Sequence, residues 1–552
     1  MKKSFYYVFI VSLLIFSVQA FGQKNVIVVE PDQGLDIGAL NDAIEAVDSV
    51  DRNNTIFELR RDGLYLLNGT IAHESYYTLH IRTEAGPGGK AVLQPAVDEN
   101  GESGRQFQPS GNLTLEEVYL QGRDELGAMS SQPIRVNADS CRIIIDNCVL
   151  DYSGQSLVRT SSGNNTVIVT NSVLRNSILP DNPSNGRVID SRGNPNDTLW
   201  ISNSTIYNNG ATQLRSDGGA TLFANFDHNT VYQTSFNHNF ALDYIFKANI
   251  TNNIFYNFLY RGNNMDHDAF FAVDSIFDSG IEDYNDANRY FDLSNNNWFV
   301  DDTIGYILDE YGPDTLYMFY DWAPDDTVHY REALRKNWFA SQDLLDLNIP
   351  AAVPTIMHFI ANGQVDTAGL FREELTFTNP PPLNLDYWKF FTENGWAISG
   401  TNPPNAYADE DPDVLGEVTT GAFDFSYNAN SRSATAADGG LPLGASRWLP
   451  YGPGTSVWDV KADVNEVRTY PNPFDNQVTF TIEASAASLV SIRVYDLVGK
   501  EIHSSFEPVN LGSNEVNVNL SKISHPGIYL YKIELQNGQG QKSVSSGKLI
   551  KK

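Results

Sequence analysis

The 552-residue chain has only two cysteines, Cys141 and Cys148, which excludes a four-cysteine zinc site and a C-x-x-C redox pair. What remains for them is one disulfide, or two small buried residues near a turn. Basic residues are scarce: 37 Lys and Arg against 68 Asp and Glu leave a formal charge of −31. From Glu466 onward nine Lys and Arg stand against eight Asp and Glu, so the first 465 residues carry about −32. A field of that sign repels nucleic acid and anionic membrane surfaces. It also opposes a polyanionic glycan unless a local basic groove or bound cations intervene. Long apolar runs are missing apart from Phe5 to Val18, about 14 residues, which is short for a membrane span. With Lys2 and Lys3 before that run and Val18-Gln19-Ala20 closing it, residues 1–20 read as a cleaved signal peptide. No cysteine follows to take a lipid anchor, and no transmembrane segment is expected. Phosphate cradles are absent: Asp217-Gly218-Gly219 is not followed by Lys and Ser or Thr, and no G-x-G-x-x-G opens a helix. No G-x-S-x-G elbow occurs either, so nucleotide chemistry and the α/β-hydrolase reading fall away.

What is present is a repeat. Ile145-Asp146-Asn147-Cys148-Val149-Leu150 returns as Val169-Thr170-Asn171-Ser172-Val173-Leu174, as Ile201-Ser202-Asn203-Ser204-Thr205-Ile206 and as Phe226-Asp227-His228-Asn229-Thr230-Val231. Ile250-Thr251-Asn252-Asn253-Ile254-Phe255 and Leu293-Ser294-Asn295-Asn296-Asn297-Trp298 complete the set, with Leu115-Glu116-Glu117-Val118 a degenerate earlier copy. The third positions, 117, 147, 171, 203, 228, 252 and 295, are 30, 24, 32, 25, 24 and 43 residues apart. Alternating β-branched residues predict strands, and a period in this range predicts one supersecondary unit per copy. No amphipathic helix fits between copies. The prediction is therefore an all-β parallel β-helix, each copy one coil stacked about 4.8 Å from the next. Ile143, Val167, Leu199 and Ala248 are expected to stack as an inner apolar column. The asparagines are expected in one file at a turn, their amides bonding above and below. The 43-residue step predicts a large insertion.

This pattern resembles the right-handed parallel β-helix of the pectate-lyase type over roughly residues 50 to 300. The resemblance implies a fold; lyases, hydrolases, adhesins and stalks all use the device. A second resemblance lies at the C-terminus. Tyr470-Pro471-Asn472-Pro473-Phe474, Val494-Tyr495-Asp496-Leu497-Val498-Gly499-Lys500, Pro526-Gly527-Ile528-Tyr529 and Gly547-Lys548-Leu549-Ile550-Lys551-Lys552 resemble, in order and spacing, the sorting domain of type IX secretion cargo in Bacteroidetes-type bacteria. That resemblance implies an Ig-like antiparallel β-sandwich over 466–552, recognition by the type IX machinery, and secretion or cell-surface attachment. The domain reading is thus a signal peptide over 1–20, β-helix over 24–300, late coils with an insertion and end cap over 301–455, and the sorting domain. Tyr330 to Leu345 reads as a short helix. Phe423-Asp424-Phe425-Ser426-Tyr427, Asp438 to Gly444 and Trp448 resemble the closing segment of secreted β-helix proteins. A monomer is expected.

Three residue sets are candidates for chemistry. Aligning the copies puts Arg159, Asp190 and Arg215 in equivalent places, with Arg192 and Asp217 two residues on, and Lys247 in one column with Arg142. The lyase resemblance implies a Lys or Arg base and a cation facing a uronate carboxylate, so that a weakly acidic C–H proton leaves while the enolate is stabilised. Lysine is the more tunable base, which makes Lys247 with Arg261 the catalytic pair and Arg159, Arg192, Arg215, His238 and Tyr260 the substrate contacts. The plainer reading is a ladder of Arg and Asp that neutralises itself. Second, Asp266-His267-Asp268 is a candidate for a divalent cation such as calcium, and Asp190, Asp217 and Asp243 for hydrolytic carboxylates. Third, Trp298, Tyr317, Tyr320, Trp322, Tyr330 and Trp338 offer sugar-stacking rings, or simply pack the insertion. The expected partner is a polysaccharide. The expected function is a polysaccharide-acting protein, a lyase if catalytic; a non-catalytic glycan-binding or adhesive surface protein is the alternative.

Overall fold

The computed structural model describes residues 25–33, 37–74, 77–235, 240–258, 271–273, 284–311, 315–321, 329–334, 359–394, 398–407, 423–448, 467–484, 488–495, 501–510, 512–521, 523, 525–537 and 542–552. The chain divides into two units, Val26–Thr455 and a second containing Ser456–Lys552.

The larger unit is a parallel β-helix. Among the described residues eight coils each give one strand to a first, a second and a third sheet, in that order along the chain. Coil four is Ser156–Thr160, Asn165–Thr170 and Val173–Ser177. The register stacks Leu113, Ile143, Val167, Leu199, Ala224, Ala248 and Phe291 as one inner column of the second sheet, all buried. Residue size is matched across the interior. Where the column narrows to Ala224 and Ala248, Phe226 fills the space and meets Phe240 and Phe255 at 5.0 and 5.8 Å between ring centroids.

The repeat's third position makes the corner between the second and third sheets. Glu117, Asn147, Asn171, Asn203, His228, Asn252 and Asn295 all have left-handed backbone, with φ from 49° to 60°. Asparagine tolerates that conformation best among residues with a Cβ, which explains its recurrence. The side chains do form a file, but not a pure amide ladder. Asn203 Nδ2 donates to Asn171 Oδ1 at 2.6 Å. Asn171 and Asn252 instead donate to the carboxylates of Asp146 and Asp227 in the preceding coil, at 2.6 and 2.8 Å. An acidic residue just before the corner reaches the next coil's amide and outcompetes a neutral acceptor.

The fully buried ladder is one residue further on. The backbone N–H groups of Cys148, Ser172, Ser204, Asn229 and Asn253 donate to the side-chain oxygens of Ser172, Ser204, Asn229, Asn253 and Asn296 in the following coil, at 2.8–3.1 Å. It satisfies backbone donors where the chain bends away from the sheets. Cys141 and Cys148 are free and buried, so the disulfide reading does not hold.

Leu40 and Ile44 of the helix Ala39–Glu45 join the core near its N-terminal coils. Towards the other end, Ile304 and Ile307 of the helix Asp302–Tyr311 join it with Phe359 and Leu370. Val365–Asp366 adds one more parallel strand to the second sheet. The helix expected from Tyr330 does not form over its described part: His329–Leu334 pairs antiparallel with Thr315–Asp321. The alternating Thr315-Leu316-Tyr317-Met318-Phe319-Tyr320 supplies a strand partner that overrides local helix preference.

The described parts of the segments 371–394 and 423–448 pack on the outer face of the third sheet. Phe371, Leu375, Phe377, Phe423, Phe425 and Trp448 form one buried cluster with Val149, Val173, Tyr207, Tyr232, Ile254 and Tyr256. Trp448 Nε1 donates to Thr205 Oγ1 at 2.6 Å, and Trp388 Nε1 to Ser235 Oγ at 2.9 Å.

The C-terminal unit is an antiparallel sandwich. Val467–Tyr470, Gln477–Ala484 and Gly512–Asn519 form one sheet; Glu501–Val509, Ser488–Tyr495, Gly527–Asn537 and Lys542–Lys551 form the other. Phe480 and Tyr531 meet edge to face across the core, 5.1 Å between centroids.

Candidate functional site

Alternation along the first sheet builds a charged column. In Ile134–Val136 both flanking residues point inward and Arg135 outward; Val158 and Thr160 do the same for Arg159, and Leu214 and Ser216 for Arg215. Arg135 lies opposite Arg159, Arg159 opposite Asp190, Asp190 opposite Arg215, and Arg192 opposite Asp217. Ala241 and Ala272 continue the column. The alignment expected for Arg159, Asp190 and Arg215 is the one observed.

Several arginines of this face surround one described carboxylate, Asp190. Asp190 is fully buried and meets Arg187 at 3.5 Å and Arg215 at 3.4 Å. Arg135 Nε donates to Ser161 Oγ at 3.0 Å, and Arg105 Nη1 to Gln132 Oε1 at 3.4 Å, both neutral acceptors. Burial pushes the Arg159 pKa down; Asp190 opposes this, while Arg192, Arg135 and Arg215 add to it. Burial also lowers that of Arg105, with Arg135 and Arg159 contributing. A guanidinium does not give up its proton in the physiological range, so the cluster holds a dense positive potential. It can bind anions.

The other expected residues are placed as follows. Lys247 is exposed on the second sheet, in the column Arg142, Thr166, Thr198, Phe223, Lys247, Tyr290, as aligned from the sequence. It therefore sits on a different sheet from Arg159, Arg192 and Arg215. Its amine is 5.6 Å from the Phe246 ring centroid. Arg261, His238 and Tyr260 lie outside the described residues, as do Asp266-His267-Asp268, Trp322 and Trp338. Among the described residues no group of three or more His, Cys, Asp or Glu is arranged to hold a metal ion. Trp298 is interior, stacked on Phe255 at 4.3 Å, and is unavailable for sugar stacking. Sequence reasoning missed Arg135, Arg105 and Arg187. Arg135 was within reach, because it precedes Arg159 by 24 residues, the same interval that separates Asn147 from Asn171.

In the C-terminal unit the first and last sequence motifs meet. Asn472 Nδ2 donates to the Lys548 carbonyl and Asn472 Oδ1 accepts from Ile550 N–H, both at 2.8 Å. Phe474 N–H donates to the Ile550 carbonyl at 2.8 Å, and Lys552 N–H to the Phe474 carbonyl at 3.0 Å. Residues 468–551 match the family described as the secretion system C-terminal sorting domain. The protein is a β-solenoid with a type IX sorting domain. That domain implies engagement of the type IX machinery and secretion or attachment at the cell surface. A search of the curated proteins finds no match to this chain. Among the described residues no helix is long and apolar enough to cross a membrane.

Proposed function

We propose that this sorted β-helix protein binds an anionic polysaccharide along the first-sheet arginines, outside the cell or on its surface. The observation that carries the reading is the outward placement of Arg135, Arg159 and Arg215 in one column, with Arg192 beside it. Coils about 4.8 Å apart present cations along a line, which suits a linear polymer with a regularly repeated carboxylate or sulfate. The overall charge of −31 opposes such a polymer everywhere else, so it favours binding confined to this face. A lyase reading adds proton removal by Lys247 with Arg261. Against it stands the position of Lys247 on the neighbouring sheet.

The test is titration of the mature protein with polygalacturonate, alginate, a sulfated glycan and a neutral glucan. Binding to the charged polymers is expected, weakening as salt rises. The double variant Arg159→Ala/Arg192→Ala should lose about tenfold or more in affinity, since charge-assisted hydrogen bonds contribute about 1.5–3 kcal/mol each. Equal binding of the neutral glucan, or affinity unmoved by the double variant, would overturn the proposal. Unsaturated uronate product that disappears in Lys247→Ala would establish elimination.

A further inference from the structure

An outward sheet face on a secreted sandwich is ordinarily polar, and the sorting domain departs from that on one side. Along Gly527–Asn537 the inward positions Tyr531, Ile533 and Leu535 are core, and Leu549 is core on the neighbouring strand. The outward positions Ile528, Leu530 and Ile550 are aliphatic yet 41, 43 and 38 % exposed. They are adjacent: Ile528 pairs with Ile550, and Leu530 lies between Tyr495 and Lys548. Among the described residues of this domain the one other large exposed hydrophobic is Tyr470, on the opposite sheet. Beside the aliphatic patch are exposed Lys548 and the cross-strand pair Arg493 and Lys532, with Glu534 bonded to Lys532 at 3.0 Å.

The free edge of the last strand is not the docking element. Asn472 and Phe474 occupy the main-chain groups of Lys548, Ile550 and Lys552, so an incoming strand finds its pairing positions taken. The face remains open.

Resting on the sorting assignment, we infer that Ile528, Leu530 and Ile550, rimmed by Lys548, Lys532 and Arg493, form the surface gripped by the type IX machinery. The partner is a protein of that machinery that presents an apolar surface bordered by carboxylates. Charge supports this choice. The sorting domain carries +1 and the preceding 465 residues about −32. An acidic receptor therefore attracts the basic rim and repels the rest of the chain, so that the sorting domain engages first.

The experiment follows export of the full chain in a bacterium with this secretion system. Ile528→Ser/Leu530→Ser/Ile550→Ser alters exposed side chains only and is expected to lower extracellular protein about tenfold or more, with folded, protease-resistant chain retained in the periplasm. Lys548→Glu/Lys532→Glu, which leaves the aliphatics intact, should give a smaller loss in the same direction and guards against misfolding of the triple variant. Wild-type export of both variants, beside a trapped chain lacking residues 466–552, overturns the docking surface and leaves the sorting assignment standing. Export of the truncated chain overturns the assignment itself. Patch-dependent flotation of the purified full chain with phosphatidylglycerol vesicles would reassign the surface to lipid and overturn the protein partner.

Discussion

The first and third sheets are built from the same coils, yet their outer faces carry arginine in opposite states. On the third sheet Arg175 lies in the column Gln121, Asp151, Arg175, Tyr207, Tyr232, Tyr256. Its Nε donates to Asp151 Oδ2 and its Nη1 to Tyr207 OH, both at 2.9 Å, while Tyr119 OH donates to the same carboxylate at 2.7 Å. Arg175 is only 3 % exposed. On the first sheet Asp190 meets Arg215 and Arg187 at 3.4 and 3.5 Å, and several arginines converge on this one carboxylate. One face has spent its polar groups on itself and is covered by described residues of the segments 371–394 and 423–448. The other keeps positive charge at the surface. A cation that is internally satisfied holds a fold together; cations that crowd one another lower their mutual repulsion only when an anion arrives.

The largest effect should come from the covered face. Phe425 is fully buried and packs on Tyr207, Tyr232, Phe377 and Trp448 at 5.5–5.8 Å between centroids. Phe425→Ala should cost about 3–5 kcal/mol in denaturant unfolding and leave anionic-polymer affinity unchanged wherever the protein is folded. Loss of polymer binding at full folding would join the two faces and break the contrast.

Next is the buried ladder at the corner between the second and third sheets. Asn253 Oδ1 accepts from the Asn229 N–H and amide, and Asn253 Nδ2 donates to the Phe226 carbonyl and Asn296 Oδ1. Asn253→Ala strands several buried groups and should cost about 2–3 kcal/mol, again without selective loss of binding. A change within measurement error would mean that the ladder is dispensable.

The outward arginines of the first sheet, half-buried Arg159 and exposed Arg192, should behave in the reverse way. Arg159→Ala/Arg192→Ala is expected to shift stability by less than about 1 kcal/mol, or even to raise it by relieving repulsion, despite the affinity loss described above. Destabilisation as large as that of Phe425→Ala would show these residues to be structural.

The smallest effect separates the inner from the outer side of the first sheet. His73 is buried in that sheet, with Nε2 against the Asn112 carbonyl at 2.9 Å, and burial holds its pKa below the ordinary value. The unfolded chain therefore takes up this proton first as the pH falls. The stability contribution is intact above about pH 6.5 and declines below it, at most about 1.4 kcal/mol per pH unit. His73→Gln should flatten the loss of melting temperature between pH 7.5 and 5; an unchanged slope would acquit His73.

Much of the coil was legible in the chain because its signals are local. A left-handed corner every few tens of residues selects asparagine at the third position, and alternation sets which neighbours turn inward. The same reading could not see the inner Ser and Asn ladder, since those residues are as common in solvated turns. Nor could it see that Asp146 and Asp227 take the amides expected to pair with each other. In the site, Arg159, Asp190 and Arg215 were aligned correctly, whereas Lys247 was joined to them by chemistry rather than by position in the coil. The glycan-stacking role fails for Trp298 because the interior of the last coil needs a large flat ring.

By itself, the sequence determined the coil, its corner residues, its inner column and the sorting motifs, all of which depend on patterns a few residues long. Only the tertiary structure decided which face stays open. Residues such as Pro382 reach back to Gln233, 149 positions away, and no local pattern encodes a partner at that distance. Whether an arginine ends up neutralised or exposed depends on the register between coils and on the segment laid over them, and both are properties of the assembled helix.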